Sequence, residues 1–174
     1  MEIMAALEAF RGFERRGIDF YRILAERFGD GKSARLWREC MNTEASHHAI
    51  FMLCLDWAHM WRWTGPKPDV PADPEDLAHE AEGLTALEAE AARPGLTEGD
   101  AVELALRWEE RELPRVLFIA GHAPGRGKGQ LLAMLKEAEE HYKDLEEVAR
   151  IAGAADALRP RFEALRARLR EAVV

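Results

Sequence analysis

Apolar residues that return every three or four positions, with no sustained alternation by twos, limit this chain to helical architectures. From about Glu2 to Phe28 they fall at Leu7, Phe10, Gly17, Ile18, Tyr21, Leu24 and Ala25, the stripe of an amphipathic helix, which Gly29-Asp30-Gly31 ends. A second helix, with Ser33 placed to cap it, runs through Trp37, Cys40, Phe51 and Leu55 to about Trp61, and Gly65-Pro66-Lys67-Pro68 breaks the pattern. Between about Trp63 and Leu96 lies a longer connection with a short helix of its own. Asp73 is its cap, Pro74 its first turn, Leu77, Leu84 and Leu87 its apolar face, and Pro94-Gly95 its end. Thr97 and Asp100 form a capping pair for the third long helix, which carries Val102, Ala105, Leu106, Leu113, Val116 and Ala120. Pro114 inside it must remove a backbone hydrogen bond or bend the axis. A glycine-rich turn is expected from Gly121 to Gly129, then a fourth long helix through Leu131, Leu135, Leu145, Val148 and Ile151, then an Arg-rich helix from Asp156 to Val173 with Pro160 near its start. Two helical hairpins separated by a long connection predict an all-α four-helix bundle with one crossover, because the chain must travel a bundle length between its second and third long helices. The expected organisation is one domain, with the bundle over residues 1–152 and a helical extension over 153–174.

With 48% hydrophobic residues the chain has ample material for one core. Its net charge of −8 and pI near 5.3 argue against a nucleic-acid surface. The start MEIMAALEAF lacks the basic residues, long apolar run and cleavage site of a signal peptide, and no stretch approaches a membrane span, so a cytoplasmic protein without membrane contact is expected. Cys40 and Cys54 lie about 21 Å apart on one predicted helix at about 1.5 Å per residue, too far for a disulfide, and read as reduced buried thiols.

Glu44 and His47 stand one turn apart in the second helix and therefore point the same way, toward the core. An ionised Glu in a packed helix interface is costly unless something positive sits beside it, and a metal ion is such a partner. Glu14 interrupts the first helix's stripe between Phe10, Phe13, Gly17 and Ile18. Glu109 does the same between Ala105, Leu106 and Leu113, and Glu112 follows one turn later. A weak internal repeat ties these positions together: a shift of 95 places Glu14 on Glu109 and Phe13 on Trp108, and a shift of 94 places His47 on His141 and Phe51 on Leu145. One partner is missing, because Glu44 falls on Ala138. Each residue also has a plain reading. Glu14 can sit on a helix rim, Glu44 and His47 can form a surface pair, Glu109 and Glu112 can belong to a solvated charge run, and His141 can be a core histidine.

Other features read as structural. His48, His59, His79 and His122 are expected at the surface. Trp57, Trp61 and Trp63 are expected to close the bundle or a dimer contact. The segment Gly121 to Gly129 lacks the spacing, the hydroxyl residue and the preceding strand of a phosphate loop, which argues against nucleotide binding. The C-terminal arginines are expected to balance the acidic bundle.

Carboxylate-bridged metal pairs in helix bundles use one Glu from each of two helices and a Glu-x-x-His from each of the other two. The chain follows that plan at Glu14, Glu44/His47, Glu109 and His141, apart from Ala138. On Glu14 followed by Phe20-Tyr21, on Glu44-Ala45-Ser46-His47, on Glu109-Glu110-Arg111-Glu112 and on Glu140-His141-Tyr142, residues from about 5 to 150 resemble the rubrerythrin family of the ferritin-like superfamily. Glu112 favours rubrerythrin over ferritin. The resemblance implies a di-iron centre held by Glu14, Glu44, His47, Glu109, Glu112 and His141 that reduces hydrogen peroxide or handles oxygen and iron, with manganese or zinc as other candidate metals and a homodimer as the assembly. Ala138 leaves the second site without a carboxylate unless Glu137 reaches in or water fills the position, so its metal affinity is expected to fall and one ion in place of two is an alternative. Cys40 and Cys54 form no Cys-x-x-Cys pair, so electrons for turnover are expected from another protein or a small reductant. The rival readings are a metal-free bundle serving as a structural or interaction module, and a bundle whose acidic interior takes an organic cation.

Overall fold

A computed structural model describes residues 3–60, 74–122 and 125–173. The described residues form six helices and no strand: α1 (Ile3–Arg27), α2 (Ala34–Met60), α3 (Pro74–Ala92), α4 (Glu98–His122), α5 (Gly125–Ile151) and α6 (Ala155–Val173). The expected boundaries of α1, α2, α4 and α6 hold to within one or two residues. The helix in the long connection starts at Pro74 and ends two residues before Pro94, as those signals require, and its 19 residues make it less short than its description as a short helix. The glycine-rich turn expected from Gly121 to Gly129 is corrected: α5 already begins at Gly125 and runs through Gly127 and Gly129. Glycine disfavours a helix by about 1 kcal/mol each, but α5 lies along α2 there, with the Cys54 sulfur 3.9 Å from the Gly127 carbonyl, and packing overrides propensity. The Gly65-Pro66-Lys67-Pro68 break, the Asp73 cap, Trp61 and Trp63 lie outside the described residues, as do the side chains of Trp57, His59 and His122. His79 is exposed and His48 half-buried.

The local signals act as their chemistry requires. Thr97 and Asp100 cap α4 reciprocally, the Asp100 N–H donating to Thr97 Oγ1 at 3.1 Å and the Thr97 N–H to Asp100 Oδ2 at 3.2 Å. Ser33 sits at the N-cap of α2, its carbonyl accepting the Trp37 N–H at 3.0 Å, while its hydroxyl donates to Glu98 at the start of α4. Trp37 Nε1 donates to the same carboxylate at 3.1 Å, so the first turns of α2 and α4 are tied together. Helix α4 continues past Pro114, which leaves the Glu110 carbonyl without its helical donor. The α5–α6 reversal is made by Gly153 at φ 73°, with the Ala154 N–H donating to the Ala149 carbonyl at 2.8 Å, a helix ending that needs the left-handed residue.

Helices α1, α2, α5 and α4 close a ring, α1 touching α2 and α4, and α5 touching the same two. Neighbours run antiparallel: Arg11 meets Met52 and Phe28 meets Trp37 between α1 and α2, while Phe20 stacks on Trp108 and Arg115 lies over Phe13 between α1 and α4. Since α2 and α4 start side by side, the chain must return along the ring between them. Helix α3 lies on that route, against α1 and α4. Arginines hold it there: Arg16 grips Glu88 through Nε at 2.8 Å and Nη2 at 2.7 Å, Arg107 pairs with Glu90, and Arg111 and Arg115 share Glu80. Helix α6 covers α4 and α5, where Arg161 takes Glu110 with two bonds of 2.8 Å and Arg166 takes Glu146, so the C-terminal arginines do meet bundle carboxylates.

The ring's interior is filled by Phe20, Tyr21, Trp37, Phe51, Trp108 and Tyr142, all fully buried. Both cysteines are buried and unbridged, and burial pushes the Cys54 thiol up to about 11. Among the described residues no helix is long and apolar enough to cross a membrane.

Candidate metal centre

Four helices send polar side chains into this apolar ring. Glu14 comes from α1, Glu44 and His47 from α2, Glu109 and Glu112 from α4, and His141 from α5. Spacings of three residues put Glu44 with His47, and Glu109 with Glu112, on one helix face. All six have at most 4% of their surface exposed, which rules out the rim and solvated-face readings of the carboxylates. The other buried polar side chains among the described residues are Ser33 and Arg115.

The six fall into two donor sets that share one residue. Glu14, Glu44, His47 and Glu112 each offer a ligand atom within 4.8 Å of the others, and so do Glu44, Glu109 and His141. His47 Nδ1 lies 3.1 Å from Glu112 Oε1 and 3.8 Å from Glu14 Oε2, while His141 Nε2 lies 2.9 Å from Glu109 Oε1 and 3.9 Å from Glu44 Oε1. Glu44 thus stands between the two sets. Both of its oxygens lack a hydrogen-bond partner, as do Glu14 Oε2, Glu112 Oε2, His47 Nε2 and His141 Nδ1. Unsatisfied buried oxygens and nitrogens are rare because each forfeits its hydration. The carboxylate oxygens among them belong to residues of the two donor sets, and hard carboxylate oxygens with imidazole nitrogens suit iron, manganese or zinc.

The charges repeat the message. Burial holds the Glu14 carboxyl well above the usual range, with Glu112 beside it adding to the effect, and burial followed by Glu112 and Glu109 does the same to Glu44. Burial also acts on Glu112, but a hydrogen bond from His47 and the charges of His47 and Arg115 outweigh it and leave this carboxyl below its ordinary value. Burial opposes protonation of His141, yet Glu109 and then Cys40 raise its pKa well above normal.

Three supporting residues were not singled out as site residues in the sequence. The Tyr21 hydroxyl donates to Glu109 Oε1 at 2.6 Å and lies 3.3 Å from His141 Nε2, fixing both ligands of the second set. In the stripe it reads as one more aromatic. Arg115 reaches from α4 with Nη1 2.5 Å from Glu80 on α3 and its guanidinium over Phe13, placing the one buried Arg or Lys among the described residues near Glu14 and Glu112. Gly17, one turn after Glu14, passes for a small apolar residue. A Cβ there would lie 3.0 Å from the Glu44 carboxyl carbon and closer still to Oε2, so the missing side chain is the space Glu44 occupies.

Ala138 is buried at 7% exposure and Glu137 is exposed, so of the two ways of completing the second set, Glu137 does not reach in. Ala138 lies in the middle of the buried stripe of α5, with Leu131, Leu135, Tyr142 and Leu145, and position 137 is about 100° round the helix from it. Beside Ala138 lies a cavity of about 10 Å³, with His47, Glu109 and Glu112 on one side and Met134 and Leu135 of α5 on the other.

Compared with models of protein families, with curated proteins and with solved structures, the chain matches none of them.

Two outcomes follow from this geometry. In the metal-free protein Glu14 and Glu44 keep protons above the ordinary Glu value of 4.5, and His141 keeps one above 6.5. The folded state therefore binds more protons than the unfolded chain, and its stability must fall as pH rises. Thermal melts in chelator are expected to show a falling melting temperature from about pH 5 to pH 8, and a rise would contradict the assignment. Gly17→Ala is expected to displace Glu44 and weaken metal binding by about 10- to 100-fold, measured against a chromophoric chelator. Unchanged affinity would mean that Glu44 is not a ligand.

Proposed function

We propose that this chain is a ferritin-like, rubrerythrin-like bundle whose buried carboxylates and histidines hold a pair of iron ions and that it acts in peroxide reduction or in the handling of iron and oxygen. The observation that carries this reading is the place of Glu44 in both donor sets, with neither of its buried oxygens hydrogen-bonded and Glu14 Oε2 and Glu112 Oε2 also without a partner. Its charge count agrees. Glu14, Glu44, Glu109 and Glu112 supply four negative charges, two divalent ions supply four positive ones, and the histidines bind as neutral ligands.

Glu14, His47 and Glu112 would hold one ion and Glu109 and His141 the other, with Glu44 within reach of both. A pair of irons, when bound, supplies the two electrons that cleave a peroxide O–O bond. The chain's own contribution is positional. Tyr21 keeps Glu109 and His141 in register and stands ready with a hydroxyl proton 2.6 Å from Glu109, while the aromatic packing around the site excludes bulk water. Electrons for turnover would come from an outside donor, since Cys40 and Cys54 form no Cys-x-x-Cys pair to ligate an electron-transfer iron.

A second reading is supported by Ala138 and Arg115: a bundle short of one α5 carboxylate, with an arginine as internal countercharge, can stand metal-free as an interaction module. Anaerobic loading with ferrous iron followed by elemental analysis separates the two. The di-iron reading predicts two irons per chain, a rise in melting temperature on loading, and rapid loss of added peroxide as a near-ultraviolet ferric band appears. Iron no higher than in a Glu14→Ala, Glu44→Ala variant would leave the metal-free module. Bound iron without peroxide loss would point to storage or structural use.

A further inference from the structure

In a bundle built from two repeated hairpins, the counterpart of Glu44 belongs at position 138, where this chain has a methyl group. The number of buried carboxylates among the described residues is nevertheless four, because Glu112 enters from α4. Glu112 and Ala138 line the same cavity, so the carboxylate has in effect moved from α5 to α4. Moving it keeps the charge count and frees space on the α5 side.

That space measures about 10 Å³, and every residue around it is buried. Its polar wall is His47, Glu109 and Glu112, two of which carry an atom without a hydrogen-bond partner, His47 Nε2 and Glu112 Oε2. Its α5 wall is Met134, Leu135, Ala138 and Tyr142, with the Tyr142 hydroxyl as the one strong donor or acceptor there. A water molecule needs about 10 to 15 Å³ of such space, whereas a carboxylate or a longer anion needs more. Resting on the metal-centre reading above, we propose that the space beside Ala138 is a coordination position reserved for an external ligand with a single donor atom, water or hydroxide, and that the side chain at position 138 sets the size limit. With two divalent ions the site is already neutral, which suits water. Each electron withdrawn from the ions adds a positive charge, which suits hydroxide.

The test uses the cobalt(II)-loaded protein, with cobalt content measured alongside, and follows its visible absorption during titration with fluoride and with acetate. The wild type is expected to respond saturably to fluoride and at least about tenfold more weakly to acetate. Ala138→Val fills the space and is expected to keep its cobalt while losing at least about tenfold in fluoride affinity. Ala138→Gly enlarges it and is expected to admit acetate, which keeps the proposal testable if the valine variant fails to fold. Cobalt-loaded wild type that ignores fluoride, a valine variant whose fluoride affinity stays within about twofold, or a glycine variant that still excludes acetate overturns the proposal. Failure of the wild type to take up cobalt sinks the metal-centre reading itself.

Discussion

The mutual repulsion of four carboxylates in a packed interior is the constraint on which the rest of this structure depends. Carboxylate oxygens within 4.8 Å of one another, as in the group of Glu14, Glu44 and Glu112, repel by about 3 kcal/mol per pair at an effective dielectric constant of about 20. Two or three such pairs rival the total stability of a domain, about 5–15 kcal/mol. Helix propensity, at tenths of a kilocalorie per residue, cannot answer a term of that size. The fold answers it with protons held on Glu14 and Glu44, with Arg115 near Glu14 and Glu112, and with a donor geometry that could hold a metal ion.

This constraint also explains the arrangement around the core. Arg115 is fixed from outside by Glu80, and Glu80 belongs to α3, so the crossover helix acts on the interior as well as connecting the hairpins. Gly17 and Tyr21 act from α1, one by leaving room for Glu44 and the other by holding Glu109. Removing any of them leaves every ligand in the chain but changes where the ligands stand.

Much of this was legible in the sequence because helical periodicity carries orientation. A Glu replacing an expected Leu between Phe13 and Gly17, or between Ala105 and Leu113, has nowhere to point except inward, and Glu14 and Glu109 are buried as that pattern requires. Capping at Thr97 and Asp100 was equally readable, since it is a local exchange of hydrogen bonds. Long-range contacts left no such trace. The start of α5 at Gly125 defies local propensity and follows from packing against α2. The hydroxyl of Ser33 serves Glu98 of another helix as well as marking a helix start. Nothing near Gly17 or Arg115 announces that their partners lie 27 and 35 residues away, at Glu44 and Glu80.

The central claim is that one carboxylate, Glu44, is shared between two metal ions. Electron paramagnetic resonance of the protein loaded with two manganese(II) ions per chain tests it most directly, because a shared carboxylate couples the two spins. The account predicts a coupled spectrum, its hyperfine lines more closely spaced than those of an isolated ion, that reverts to isolated signals in Glu44→Ala. Independent six-line signals from the wild type at full loading would contradict it.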